Sequence, residues 1–208
     1  MRTRYFDLEG PVGPLEAVLM SPESEARGAA LLCHAHPRHG GTMHFKPLHR
    51  AAKILQRHGY AVLRFQFRGV GRSAGKFDEG RGEALDAGAA LDFLAREEPG
   101  KPILMGGFSF GAAVTLRVGV HDDRVLSLVL MALPLRAMTS VPENPLGKRA
   151  LFIQGERDEF GGREEIEAFV GKFPGPATLA VVPGADHLFT EGIEPIEEAL
   201  DRWLQEAP

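Results

Sequence analysis

At 208 residues, with 44% hydrophobic and 25% charged side chains, the chain has an ordinary globular composition and enough apolar mass for one sizeable core, so a single domain over 1–208 is expected. A formal net charge of -4, with lysines and arginines scattered rather than clustered, argues against nucleic acid or a membrane surface as partner and favours a small molecule. The start, Met1 to Asp7, has no apolar run behind it to act as a signal or a span, and the single cysteine, Cys33, excludes an internal disulfide; both are expected of a cytoplasmic protein.

Two short strands, 3–9 and 15–20, flank the turn Gly10-Pro11-Val12-Gly13-Pro14. From there buried strands alternate with helices. A strand over 29–33 takes in Cys33, read as a small buried hydrophobe, and is followed by a helix over 44–58 with Leu48, Ala51, Ala52 and Leu55 on one side. Next come a strand over 60–67, a helix over 83–96, and the apolar run Pro102 to Met105 leading to a helix that ends near Val120. Strands over 125–131 and 150–154, a helix over 163–173, a strand over 177–182 and a helix over 194–206 complete the pattern. Such alternation predicts an α/β fold: a mostly parallel twisted sheet with helices on both faces and the first two strands antiparallel at one edge. The one long late connection, 132–149, is too short for a cap domain, so the site is expected to be open.

Between the strand that ends near Met105 and the helix that follows lies Gly107-Phe108-Ser109-Phe110-Gly111. A G-x-S-x-G sequence between strand and helix reads as a nucleophile elbow, a sharp turn that lifts a serine above the sheet, with glycines two residues either side to avoid side-chain collision. Gly71-Arg72-Ser73-Ala74-Gly75 repeats the spelling but runs into turn residues rather than a helix, so no helix N-terminus would face an oxyanion there, and Ser73 is read as a decoy.

A serine hydroxyl needs a base to take its proton and a carboxylate to hold that base. Asp158 follows the strand over 150–154 and His187 follows the strand over 177–182; both sit at carboxyl ends of strands, where open α/β sheets build their sites. Glu156, Glu159 and Asp186 compete with Asp158, and His121 is assigned to a helix end. The order Ser109, Asp158, His187 matches the α/β-hydrolase arrangement.

Through His34-Ala35-His36-Pro37, Gly40-Gly41-Thr42-Met43, Phe67-Arg68-Gly69-Val70-Gly71-Arg72-Ser73, Gly107 to Gly111 and Gly184-Ala185-Asp186-His187, the chain resembles a lidless bacterial branch of the α/β-hydrolase superfamily, similar to small carboxylesterases and dienelactone hydrolase-like proteins. The resemblance implies a serine hydrolase acting on an ester or thioester with no cofactor. It departs from dienelactone hydrolases, whose elbow carries a cysteine. Two backbone N–H donors are then expected for the oxyanion: Phe110, next to the nucleophile, and His36, where the family's pattern places the second; Pro37 has none to offer.

Met43, Phe108, Leu188 and Phe189 are expected to line a substrate pocket suited to short acyl groups. Five histidines (His34, His36, His39, His44, His49) gather after the first buried strand, but without a carboxylate or an H-E-x-x-H pattern to complete a zinc set no metal is expected. Gly69 to Ala74 mimics a dinucleotide loop yet opens no helix; the stretch 67–75 is read as a border of the site mouth, with Arg68 either paired to a carboxylate, the favoured role, or facing substrate. Thioester cleavage, peptide or amide cleavage and a non-catalytic scaffold stay open as alternatives, as does a homodimer; a dehalogenase would need a carboxylate at position 109.

Overall fold

The structure, a computed structural model, describes residues 2–138 and 146–206; the middle of the 132–149 connection lies outside the described residues. Eight strands form one sheet: β1 (Arg2–Gly10), β2 (Gly13–Ser21), β3 (Gly28–Cys33), β4 (Tyr60–Phe65), β5 (Ile103–Phe108), β6 (Val125–Met131), β7 (Arg149–Gly155) and β8 (Ala177–Val182), in the order β1-β2-β4-β3-β5-β6-β7-β8. β1 pairs antiparallel with β2, and β2 antiparallel with β4; every other pairing is parallel. The mostly parallel α/β architecture expected from the alternation is present, with no cap domain among the described residues.

Five helices cover the sheet: α1 (Lys46–Arg57), α2 (Arg81–Glu97), α3 (Phe110–Gly119), α4 (Arg163–Val170) and α5 (Glu194–Gln205). Period-two alternation along each strand divides the core in two. Ala29, Leu31 and Cys33 of β3 face the cluster that holds Leu91 and Leu94 of α2 and Leu116 of α3, whereas Ala30 and Leu32 face the cluster with Leu48 and Leu55 of α1 and Leu200 and Trp203 of α5.

Two helix starts differ from the periodicity reading. α1 begins at Lys46 because Pro47, in its first turn, fits only where no intrahelical N–H bond is needed; His44 is left outside with its N–H on Thr42 Oγ1. α2 begins two residues early, at Arg81, because Glu83 reaches back to accept from the N–H groups of Gly80 (2.8 Å) and Asp78 (2.9 Å).

The strand order turns around at β3: the chain passes to β4 on one side and to β5 on the other. Loops leaving the carboxyl ends of β3 and β5 therefore part at this point and leave a crevice above the sheet edge. The loop after β3 carries His34 to Gly41, and the turn after β5 carries Ser109.

Candidate active site

Ser109 stands between β5 and α3 with φ 53° and ψ -118°, in the sparsely populated region where a non-glycine residue costs on the order of 1–3 kcal/mol. The turn holds this shape because its N–H donates to Met131 O (2.9 Å) and its carbonyl accepts from Ala113 N–H (3.0 Å). The flanking glycines are steric necessities. A Cβ on Gly107 would collide with the backbone of Gly111, and one on Gly111 would collide with the carbonyl groups of Cys33 and His34. That second close approach brings the start of α3 against the loop after β3.

Asp158 and His187 leave the ends of β7 and β8, and hydrogen bonds join the two turns: Arg157 N–H donates to Ala185 O (2.9 Å), and the side-chain Oε2 of Glu156 accepts from Gly184 N–H (2.8 Å). The result is one hydrogen-bonded line. Ser109 Oγ lies 2.8 Å from His187 Nε2, and His187 Nδ1 lies 2.8 Å from Asp158 Oδ2. In the tautomer this line requires, Nδ1–H donates to the carboxylate and Nε2 accepts the serine proton. Asp158 and His187 are buried.

The competing carboxylates have other partners. Glu156 binds Arg163 and the Gly184 N–H, and these bonds hold its carboxyl below the usual range. Asp186 accepts from Thr190 Oγ1 and N–H, which lowers it likewise. Glu159 accepts the backbone N–H of His187 at 3.3 Å. Ser73 is buried away from this site, with Oγ donating to Gln66 O (2.8 Å) and accepting from Glu16 N–H (2.9 Å), the setting of a structural hydroxyl.

Two residues that sequence reasoning missed support the line. Gln154 Nε2 donates to Asp158 Oδ2 (2.8 Å) and to Gly161 O (2.8 Å), while its Oε1 accepts from Leu133 N–H (2.9 Å), so this fully buried amide ties the carboxylate to both neighbouring loops. Phe160 donates its N–H to Asp158 Oδ1 (2.8 Å) and lays its ring 4.6 Å from the His187 imidazole.

The N–H groups of Phe110 and His36 find no acceptor within the described protein. Phe110 opens α3, where the first N–H groups have no helical partner, and its ring meets that of His36 at 5.1 Å. The loop that carries His36 is held from beneath. His34 donates Nδ1–H to Ala35 O (2.7 Å) and accepts the Phe67 N–H on Nε2 (3.0 Å), and burial pushes its pKa down to about 4. Both ring nitrogens of His34 are thereby used. His36 Nδ1 accepts from Arg38 N–H at 3.2 Å, its ring stacks on His39 at 4.3 Å, and burial lowers its pKa. Among the described residues no group of three His, Cys, Asp or Glu side chains could hold a metal ion, and burial raises the Cys33 thiol to about 12.

A cavity of about 640 Å³ opens at Ser109 and His187, with Ala35, His36, Phe110 and Leu188 in its wall. Three expected pocket residues lie elsewhere. Met43 is buried against Val18 and Met20, its carbonyl accepting from Arg64 and its N–H donating to Gln66 Oε1 (3.0 Å), so the β4 edge draws it away from the cavity. Phe108 points to the α1 and α5 side of the sheet by strand alternation, where Phe45 and Phe189 pack on it at 5.0 and 6.2 Å. Phe189 is buried there too, so both rings form a floor beneath His187 rather than a wall. Leu188, 55% exposed, does line the cavity. Nor does 67–75 border the mouth: Arg72 is tied to Asp7 and Glu16, Arg68 is paired with buried Asp86 (2.7 Å), and Glu79 and Gly80 reach the cavity instead.

The family model described as serine aminopeptidase, S33, matches residues 25–148. The chain is similar to an uncharacterized protein of Rickettsia prowazekii, with 32% identity over 209 residues covering 96% of this chain and 87% of that one. Among solved structures it is similar to an alpha-beta serine hydrolase homologue from Coxiella burnetii (TM-score 0.89, 35% identity, 98% of each chain). It is also similar to XC6422 of Xanthomonas campestris, described as an α/β serine hydrolase without lid (TM-score 0.87, 32% identity, 100% of this chain and 98% of that one).

Proposed function

The chain belongs to the serine aminopeptidase S33 family of α/β serine hydrolases, and we propose that it cleaves small carboxylic esters through an acyl-enzyme formed on Ser109. The observation that carries this reading is the unbroken line from Ser109 Oγ through His187 to Asp158, with 2.8 Å at each step. Ser109 Oγ attacks the ester carbonyl carbon as its proton passes to His187 Nε2, and Asp158 stabilises the imidazolium while fixing its orientation. The oxygen of the tetrahedral intermediate accepts from the N–H groups of Phe110 and His36. Two such preorganised donors contribute on the order of 100- to 1000-fold each in related chemistry.

Collapse of the intermediate transfers the proton from His187 to the departing alcohol. Water then enters, gives a proton to His187 and attacks the acyl carbon; the second collapse frees the acid and returns the proton to Ser109 Oγ. No step calls on a cofactor.

Aminopeptidase chemistry, which the family's description names, uses the same line but must also bind a substrate ammonium. Of the two glutamates in the cavity wall, Glu159 is engaged with the His187 N–H, and much of the remaining wall is apolar, which favours the ester. A fluorophosphonate is expected to label the protein at Ser109 and not the Ser109→Ala variant, with p-nitrophenyl ester turnover lost in parallel. Absence of labelling would favour a non-catalytic scaffold, and faster turnover of aminoacyl p-nitroanilides than of esters would favour the peptidase.

A further inference from the structure

We infer that the cavity holds the acyl chain of a medium-length ester, about eight carbons, laid along α3 from Ser109 toward Arg117; this rests on the ester reading above. The cavity wall includes Phe110, Ala113, Val114 and Arg117, the one face that a helix presents at spacings of three and four. Ser109 and Arg117 are eight residues apart, so the limb runs roughly 12 Å along the helix axis, about the span of an extended eight-carbon chain. Across from α3 lie Pro134, Ala137 and Met138. Ala113 and Ala137 carry the smallest side chains in these two stretches of the wall. The far end is marked by Arg117, whose Nη1 donates to Gly80 O at 3.2 Å.

Chemistry at the serine decides which arm of the ester occupies this limb. The departing oxygen must receive its proton from His187 Nε2, so the alcohol leaves on the side of His187 and Leu188, and the limb along α3 is left to the acyl chain. A volume of about 640 Å³ far exceeds what an acetyl group needs. This replaces the short-chain expectation drawn from the missing cap: openness to solvent governs access, whereas the length of the apolar limb governs preference.

The test is a series of p-nitrophenyl acetate, butyrate, hexanoate and octanoate below their aggregation limits, beside ethyl and octyl acetate to vary the alcohol arm. Half-covered methylenes should each raise kcat/KM by about twofold, so octanoate, four methylenes longer, should exceed butyrate by roughly 16-fold. Ala113→Phe, and Ala137→Phe from the opposite wall, should abolish that gain, read within each variant as the ratio of octanoate to acetate kcat/KM. Butyrate turned over as fast as octanoate by the unaltered protein, a length preference confined to the alcohol arm, or a gain that survives both substitutions would overturn the inference. Labelling of Ser109 separates the two readings: a labelled protein that prefers acetate loses only the groove, whereas an unlabelled protein that cleaves no ester loses the ester reading itself.

Discussion

Gln154 illustrates how a single side chain can matter without carrying any motif. It lies in the apolar run Leu151-Phe152-Ile153 that makes β7 a strand, and a glutamine there has no sequence signature separating it from a buried structural amide. Only the fold brings its Nε2–H to Asp158 Oδ2. Replacing it with methionine keeps the shape and removes the donor, leaving Asp158 Oδ2 without its buried amide partner and the carboxylate less firmly held behind His187. Hydrolysis of a p-nitrophenyl ester should therefore show roughly tenfold lower kcat with KM nearly unchanged. Steady-state kinetics beside a urea unfolding curve check this, since an amide of merely structural importance would lower stability and leave kcat in place. The hydrogen-bonded line of Ser109, His187 and Asp158, by contrast, is legible in the sequence because each residue follows a strand end in a turn. Phe108, Phe189 and Met43 were misjudged for the opposite reason: proximity in sequence to a site residue does not say which face of the sheet a side chain takes.

The element that positions the chemistry most tightly is the loop after β3. Cys33 O and His34 O leave no room for a side chain at Gly111, and His34 bridges this loop to the chain beyond β4 through Phe67 N–H. Positive φ at Glu79 and Ser109, both in the cavity wall, stores strain there that the surrounding bonds must hold in place. His34 gives this region a pH dependence. Its folded pKa, about 4, lies below the ordinary 6.5, so the neutral ring it contributes is fully stabilising above pH 6.5. As pH falls from 6.5 toward 4 the unfolded chain takes the proton first, and about 3 kcal/mol is lost at roughly 1.4 kcal/mol per unit. Urea unfolding at pH 7 and pH 4.5 should show the loss, and His34→Gln, which cannot titrate, should show a drop smaller by about that amount. An equal drop in both proteins would assign the acid sensitivity to other groups.

At the scale of the whole molecule, the described residues contain no helix long and apolar enough to cross a membrane. Nucleophile activation by an imidazole and a carboxylate requires no Lewis acid, and His34, His36 and His39 are occupied with one another and with backbone groups. Ester turnover should therefore persist within about twofold after prolonged dialysis against EDTA, a rate comparison that would expose an unrecognised metal by a large fall.

Sequence by itself determined the alternation of strands and helices, the antiparallel opening pair and the elbow at Ser109, because each is a local matter: hydrophobic period, turn chemistry and the steric demand for glycine act over a few residues. Tertiary structure decided the strand order that opens the crevice between β3 and β5, the glutamine behind Asp158 and the walls of the cavity. These depend on contacts such as the 2.8 Å approach of His187 to Ser109, which joins residues 78 positions apart. Long-range packing writes no periodic pattern along the chain, so only folding brings those groups together.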